Sequence, residues 1–220
     1  QAIRAELPAR APQIDIVHAT EWLAPGDSLS DALRRRPDSS MRRALLLLGE
    51  EQVDAVVSGG DTAALMALSR LVLDMVPGVE RPAICKALAG MNGPFWMLDL
   101  GANLACSPAQ LHQFALMGTI LARHVGGWFD SLNGLERAGM SLARRKLERL
   151  RHDLNPQRYN GASLIGLTGV VVKSHGSADR EGFRSAIEQA ALEAAGRIHE
   201  RLEQALASDP AAPAQGPAGH

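Results

Sequence analysis

The chain has 220 residues, of which 46% are hydrophobic and 21% charged, enough apolar material for one sizeable core. Its 23 Lys and Arg against 24 Asp and Glu leave a formal net charge of −1, which removes any bulk electrostatic case for a nucleic-acid partner. Two cysteines, Cys85 and Cys106, exclude a disulfide framework of the secreted kind, and no apolar run approaches the roughly 18–20 residues of a membrane span, so the expected compartment is the cytosol.

The chain begins at Gln1 inside a stretch of helical character, and its natural N-terminus is expected to lie outside it. In chain order, the β-branched runs at 14–17, 53–57, 95–100 and 169–173 predict strands. Between them, helices are expected over 41–49 behind a Ser39 or Ser40 cap, over 62–76, and over 108–125 with Pro108 in the first turn. A last helix over about 180–207 carries Phe183, Ile187, Ala191, Ala194, Ile198 and Leu202 as one apolar stripe for the sheet or a partner chain. Alternating strands and helices predict an α/β sandwich with a largely parallel sheet. One such domain over 1–207 is expected, followed by a Pro/Gly/Ala-rich disordered tail at 208–220.

The rhythm breaks at 131–152, where Arg137, Arg144, Arg145, Lys146, Arg149 and Arg151 face only Glu136 and Glu148. With Ala143, Leu147, Leu150 and Leu154 at helical spacing, this is a basic amphipathic helix, expected as an insertion at about 128–154. Such a helix meets an anionic membrane surface or an acidic protein, or simply presents a solvated face.

Three turns carry candidate chemistry. Ser58-Gly59-Gly60-Asp61-Thr62 joins a strand to a helix N-terminus, where backbone N–H groups, the helix dipole and two hydroxyls favour an anion. Asp61 can cap that helix but would repel a bound phosphate, and a glycine-rich turn also serves as a plain tight connection. Asn103, after the strand ending near Leu100, offers a donor and an acceptor at a strand's carboxyl end; a turn residue is the simpler reading. Lys173 and His175 leave another strand together and bring a fixed charge and a proton carrier to one crevice, unless both only decorate the surface. Cys106 has no base beside it and reads as a small buried thiol, and His18, His112, His124, His152 and His199 lack metal-ligand spacing.

Several stretches in order resemble one family: Arg36-Pro37-Asp38-Ser39-Ser40-Met41, Val56-Val57-Ser58-Gly59-Gly60-Asp61-Thr62, Gly78-Val79-Glu80-Arg81-Pro82-Ala83, Leu98-Asp99-Leu100-Gly101-Ala102-Asn103, Gln113-Phe114-Ala115-Leu116-Met117-Gly118, and Tyr159-Asn160-Gly161-Ala162 through Lys173-Ser174-His175-Gly176. They are similar to the phosphate acyltransferases of bacterial phospholipid synthesis, the PlsX family, over about 1–125 and 153–205. The resemblance implies an α/β/α fold related to phosphate acetyltransferases and isocitrate dehydrogenases, usually as a homodimer. It implies conversion of acyl-[acyl carrier protein] and phosphate to acyl phosphate and free carrier protein, with no cofactor and no metal. Ser58, Gly59, Gly60 and Thr62 would then cradle phosphate, Asn103 polarise the acyl carbonyl, and Lys173 and His175 supply charge or a proton. Arg144, Arg145 and Arg149 would meet the acidic carrier protein or a membrane surface, placing the protein in the cytoplasm with peripheral membrane contact.

The chain departs from that pattern at defined places. A glycine- and aspartate-containing strand-turn motif expected at the start is missing. So is a block expected after Gly126-Gly127, with the junction placed at 127–128. Asp61-Thr62-Ala63 stands where the family usually has Asn-Thr-Gly, and Asn103-Leu104-Ala105 where it has Asn-Val-Asp. The alternatives to an active enzyme of this kind are a non-catalytic relative that binds carrier protein or membrane, and acyl transfer involving a small thioester such as acyl-CoA.

Overall fold

Period-2 alternation splits the strands between two faces of one sheet, and the helices divide accordingly. The computed structural model describes residues 14–24, 27–88, 95–126 and 160–208. In chain order the elements are α1 (Leu29–Arg34), α2 (Ser40–Gly49), β1 (Ala55–Ser58), α3 (Thr62–Val72), β2 (Ala83–Leu88), β3 (Phe95–Met97), α4 (Pro108–Leu121) with a π-helical turn at Ala122–Gly126, β4 (Ala162–Ile165), β5 (Val170–Lys173), α5 (Arg180–Ala195) and α6 (Ile198–Ala207). The sheet order is β1-β5-β4-β2-β3.

Val56, Ile84, Leu164 and Val171 point to one face, where Ala32 of α1, Met41, Leu45 and Leu48 of α2 and Leu65 and Leu68 of α3 close over them. On the other face, Val170 and Val172 pack on Ala186 and Ala190 of α5. Beside them, Cys85 and Ile165 pack with Phe114, Met117 and Leu121 of α4 and Ile198, Leu202 and Leu206 of α6. The result is an α/β fold with helices on both faces, as the pattern of elements predicts.

The sheet is mixed rather than largely parallel. Only β1 and β5 run parallel; β4 is antiparallel to both β5 and β2, and β2 is antiparallel to β3. The reason is chain length between strands, since the four residues joining β4 to β5 allow a hairpin but no crossover. β2 and β4 were not expected as strands: Ala83–Leu88 lacks alternation, and Ala162–Ile165 is short, although Gly161 and Gly166 bracket it. Gly161 adopts φ +106°, and a Cβ there would stand 3.2 Å from the Ala186 Cα, so the glycine allows α5 to lie close on the sheet.

Other expectations shift for local reasons. Residues 14–17 form no strand: among the described residues nothing pairs with them, and Ile14 and Val17 are exposed. β3 stops at Met97 because the Asp99 carboxylate, through Oδ1, accepts the Ile84 N–H at 2.8 Å in place of a backbone carbonyl. α3 ends at Val72, four residues early, because Asp74 and Val76 bond to the β4–β5 connection instead: the Thr168 N–H donates to the Asp74 carbonyl and the Val76 N–H to that of Gly166, both at 2.9 Å. The single helix expected over 180–207 breaks at Gly196-Arg197, where Arg197 takes φ +48°.

The stripe assigned to that helix is only half right. Ile198 and Leu202 are buried, but Phe183 and Ile187 are 39% and 49% exposed, and α5 turns Gly182, Ala186, Ala190 and Glu193 inward. Small residues win this face because the helix lies so near the strands. Among the described residues, no helix is long and apolar enough to cross a membrane. The basic segment at 131–152, the whole of the 128–154 insertion and all but Ser208 of the expected tail lie outside the described residues.

Candidate active site

Parallel pairing of β1 with β5 brings two of the three candidate turns together. Ser58 lies opposite Lys173 in the register, and the Ser174 N–H donates to the Ser58 carbonyl at 2.8 Å as the strands separate. A Cβ on Gly176 would stand 3.4 Å from the Gly59 carbonyl oxygen, so the two turns touch. The crevice is at the carboxyl ends of these strands, the usual ligand position in open α/β sheets.

On the β1 side, the Gly60 N–H donates to Ser58 Oγ at 3.2 Å, and Asp61 is the N-cap of α3, its Oδ1 accepting the Ala64 N–H at 2.8 Å. Thr62 is the first residue of that helix and is exposed. A Cβ on Gly60 would lie 2.5 Å from the Met41 Cε, so a side chain there would have to displace the end of Met41. A cleft of about 360 Å3 opens beside this turn, walled by Trp22, Leu23, Met41, Ala44 and Val56 and ending on Ser58–Asp61. One end of the cleft is apolar and the other polar.

On the β5 side, Lys173 is half-buried and its ammonium donates to the Ser174 carbonyl. Burial pushes its pKa below the usual lysine value, while the Asp61 carboxylate pulls it back up. His175 is exposed, and its Nδ1 accepts the Ser177 N–H at 3.2 Å. A backbone N–H only donates, so Nδ1 holds a lone pair and the neutral ring carries its proton on Nε2. Ser177 Oγ lies 2.8 Å from the same nitrogen.

Asn103 is not brought to this crevice. It follows the carboxyl end of a strand, as expected, but β3 runs opposite to β1 and β5, so that end is on the other side of the sheet. There the Asn103 Nδ2 donates to the Pro82 carbonyl at 3.0 Å and to Asp99 Oδ2 at 3.1 Å, and its N–H donates to Asp99 Oδ2 at 2.7 Å. Arg144, Arg145 and Arg149 lie outside the described residues. Cys106 is partly buried, and Cys85 is wholly buried with its thiol pushed up to about 12 by burial. Among the described residues, no group of three or more His, Cys, Asp or Glu is placed to hold a metal ion.

Sequence reasoning did not single out Asn160, which is buried beside the crevice and bonded to both residues that follow Lys173. Its signal was its place in the Tyr159-Asn160-Gly161-Ala162 stretch, but no spacing rule ties an amide to a loop fourteen residues later.

The family profile described as fatty acid synthesis protein matches residues 2–140 and 130–199, two stretches that meet at 130–140. Among curated relatives, the phosphate acyltransferase of Pseudomonas syringae pv. syringae (strain B728a) is 36% identical over 273 positions, covering 88% of this chain and 80% of the relative. That of Herminiimonas arsenicoxydans is 35% identical, covering 81% and 74%. That of Alcanivorax borkumensis is 34% identical, covering 89% and 81%. In the first alignment, 88% of 220 residues is about 194, so about 79 of the 273 positions face a gap in this chain. The profile break at 130–140 is close to the expected junction at 127–128. The chain belongs to the fatty acid synthesis protein family, that of the phosphate acyltransferases or PlsX proteins.

Proposed function

We propose that this chain is a phosphate acyltransferase that converts acyl-[acyl carrier protein] and phosphate to acyl phosphate and free carrier protein, serving phospholipid synthesis. The observation that carries the site assignment is the meeting of Ser58–Thr62 with Lys173–His175 at the paired carboxyl ends of β1 and β5. Phosphate is already a nucleophile at neutral pH, so the protein has to bind it, orient it and stabilise the tetrahedral oxyanion.

Ser58, Gly59, Gly60 and Thr62 hold phosphate at the start of α3, with the Lys173 ammonium opposite. A phosphate oxygen attacks the thioester carbonyl, a C–O bond forms, the C–S bond breaks, and the thiolate leaves with its electron pair. The proton that phosphate gives up on becoming acyl phosphate goes to that thiolate, and the His175 Nε2–H donates a hydrogen bond to the leaving sulfur. The apolar cleft toward Met41 and Trp22 fits the hydrocarbon part of the acyl group. Asn103 takes no part in this proposal, because its amide is committed to Pro82 and Asp99.

Carrier protein is met by Arg144, Arg145 and Arg149, which also suit peripheral contact with an anionic membrane. The same reading takes the protein as a cytoplasmic homodimer, and the exposed Phe183 and Ile187 give α5 an apolar face for a second copy. A non-catalytic carrier-binding role is not favoured, given relatives curated as phosphate acyltransferases. The test is phosphate-dependent release of carrier thiol in the unsubstituted chain and in Lys173→Ala and Thr62→Ala. Both substitutions are expected to cut the rate at least tenfold, and unchanged rates in both would contradict the site.

A further inference from the structure

Asn160 is 7% exposed and spends its side chain on the loop that carries His175 and on the first turn of α5. Its Nδ2 donates to Ser174 Oγ and to the Gly182 carbonyl, both at 2.7 Å, and its Oδ1 accepts the His175 N–H at 3.0 Å. The amide has two donor hydrogens, both are used, and the acceptor is used as well. These bonds join three elements: the entry to β4, the exit of β5 and the first turn of α5. The far end of the same loop is fixed by Asp179, which caps α5 by accepting the Gly182 N–H at 2.8 Å. The loop of residues 174–179 is thus pinned at both ends, while its middle rests on the Gly59 carbonyl.

We propose that Asn160 is the positioning residue of the active site: by clamping Ser174 and the His175 backbone it holds the imidazole on the Ser177 N–H, and so keeps the proton on Nε2. The proposal rests on the acyl-transfer reading above. An ordinary structural asparagine would satisfy buried backbone groups anywhere along the loop. This one bonds to the two residues next to Lys173, one of which is His175 itself. If the clamp is lost, the first residue of the loop is freed, Ser177 drifts from Nδ1, and the ring has no fixed tautomer. Only one tautomer has its N–H on the nitrogen left free of Ser177.

The test uses the full chain with 15N-labelled histidine and the phosphate-dependent thiol assay. In the unsubstituted protein, the neutral His175 ring is expected to show a protonated Nε2 and an unprotonated Nδ1. In Asn160→Ala the two signals are expected to move toward the average of mixed tautomers. The same variant is expected to lower kcat by about 10- to 100-fold, the cost of misplacing a reacting group by an ångström or so, with KM for phosphate within about twofold. In a His175→Ala background, Asn160→Ala is expected to change kcat no further. Multiplying effects in the double variant, or a kcat loss with unmoved His175 signals, would overturn the proposal. Where Asn160→Ala does not fold, Ser174→Ala removes one of the three bonds; it is expected to shift the same signals part-way, and unmoved signals would overturn the proposal too. Absence of phosphate-dependent release in the unsubstituted chain would remove the reaction assignment, and the His175 signals would still decide for or against the clamp.

Discussion

Asp61 is the residue at which the site works against itself. Its carboxylate caps α3 through the Ala64 N–H and lies close enough to Lys173 to support the ammonium, yet it adds a negative charge where phosphate is proposed to bind. Asp61→Asn keeps an amide oxygen for the cap, so the helix start survives and the repulsion goes. Phosphate affinity measured by calorimetry is expected to rise about three- to tenfold at neutral pH; unchanged affinity would place Asp61 away from the ligand. The same pair fixes a pH effect. Burial lowers the Lys173 pKa from 10.5, so the cation is lost at a lower pH than on an exposed lysine, and phosphate affinity is expected to start falling below that value. Asp61→Asn removes the counterion, so the fall is expected to move to still lower pH. The two turns that carry Ser58–Thr62 and Lys173–His175 were legible in the sequence as strand exits, because glycines and hydroxyls directly after a β-branched run mark one. The hydrogen-bond partners of Asn103 and Asn160 were not, since an amide looks the same in sequence whether it ties a remote turn or holds a neighbouring loop.

Among the helices, α5 shows what periodicity reads and what it misses. The helix and its start near Arg180 follow from local sequence, but the buried face is the one with Gly182, Ala186 and Ala190 rather than the one with Phe183 and Ile187. Hydrophobicity alone favours the larger side chains; the short distance to β5 favours the smaller. That face also buries Glu193, whose carboxyl accepts hydrogen bonds from Ser163 Oγ and from the Gln189 amide. Burial pushes its pKa up from 4.5 to about 7 despite those bonds. The folded state therefore holds this proton more tightly than the unfolded chain. The associated stability is fully present below about 4.5 and is lost as pH rises through about 7. Glu193→Gln is expected to flatten that dependence and to stabilise the protein by about 2–3 kcal/mol at pH 8. Urea unfolding at pH 5 and pH 8 checks it, and an equal pH dependence in the variant would contradict it.

The α/β class was legible from the alternation of strands and helices, whereas strand direction was not, because β2 and β4 carry no alternating pattern and the hairpin between β4 and β5 is set by loop length. Parallel pairing survives between β1 and β5, where the site is proposed. The chain also lacks about 79 positions that its Pseudomonas syringae relative has, yet the turns that meet at the crevice are all present. Carrier docking is the property most exposed to charge. Changing Arg144, Arg145 and Arg149 together to Glu is expected to weaken binding of acyl carrier protein at least tenfold and to flatten its salt dependence; binding that stays tight and salt-sensitive would place the docking surface elsewhere. The most direct test incubates the chain with a long-chain acyl-[acyl carrier protein], with and without phosphate, while following the free carrier thiol and looking for acyl phosphate by mass spectrometry. Thiol release that requires phosphate, with acyl phosphate formed in equal amount, is the result expected here. No release from a demonstrably folded chain, or release at the same rate without phosphate, would contradict it.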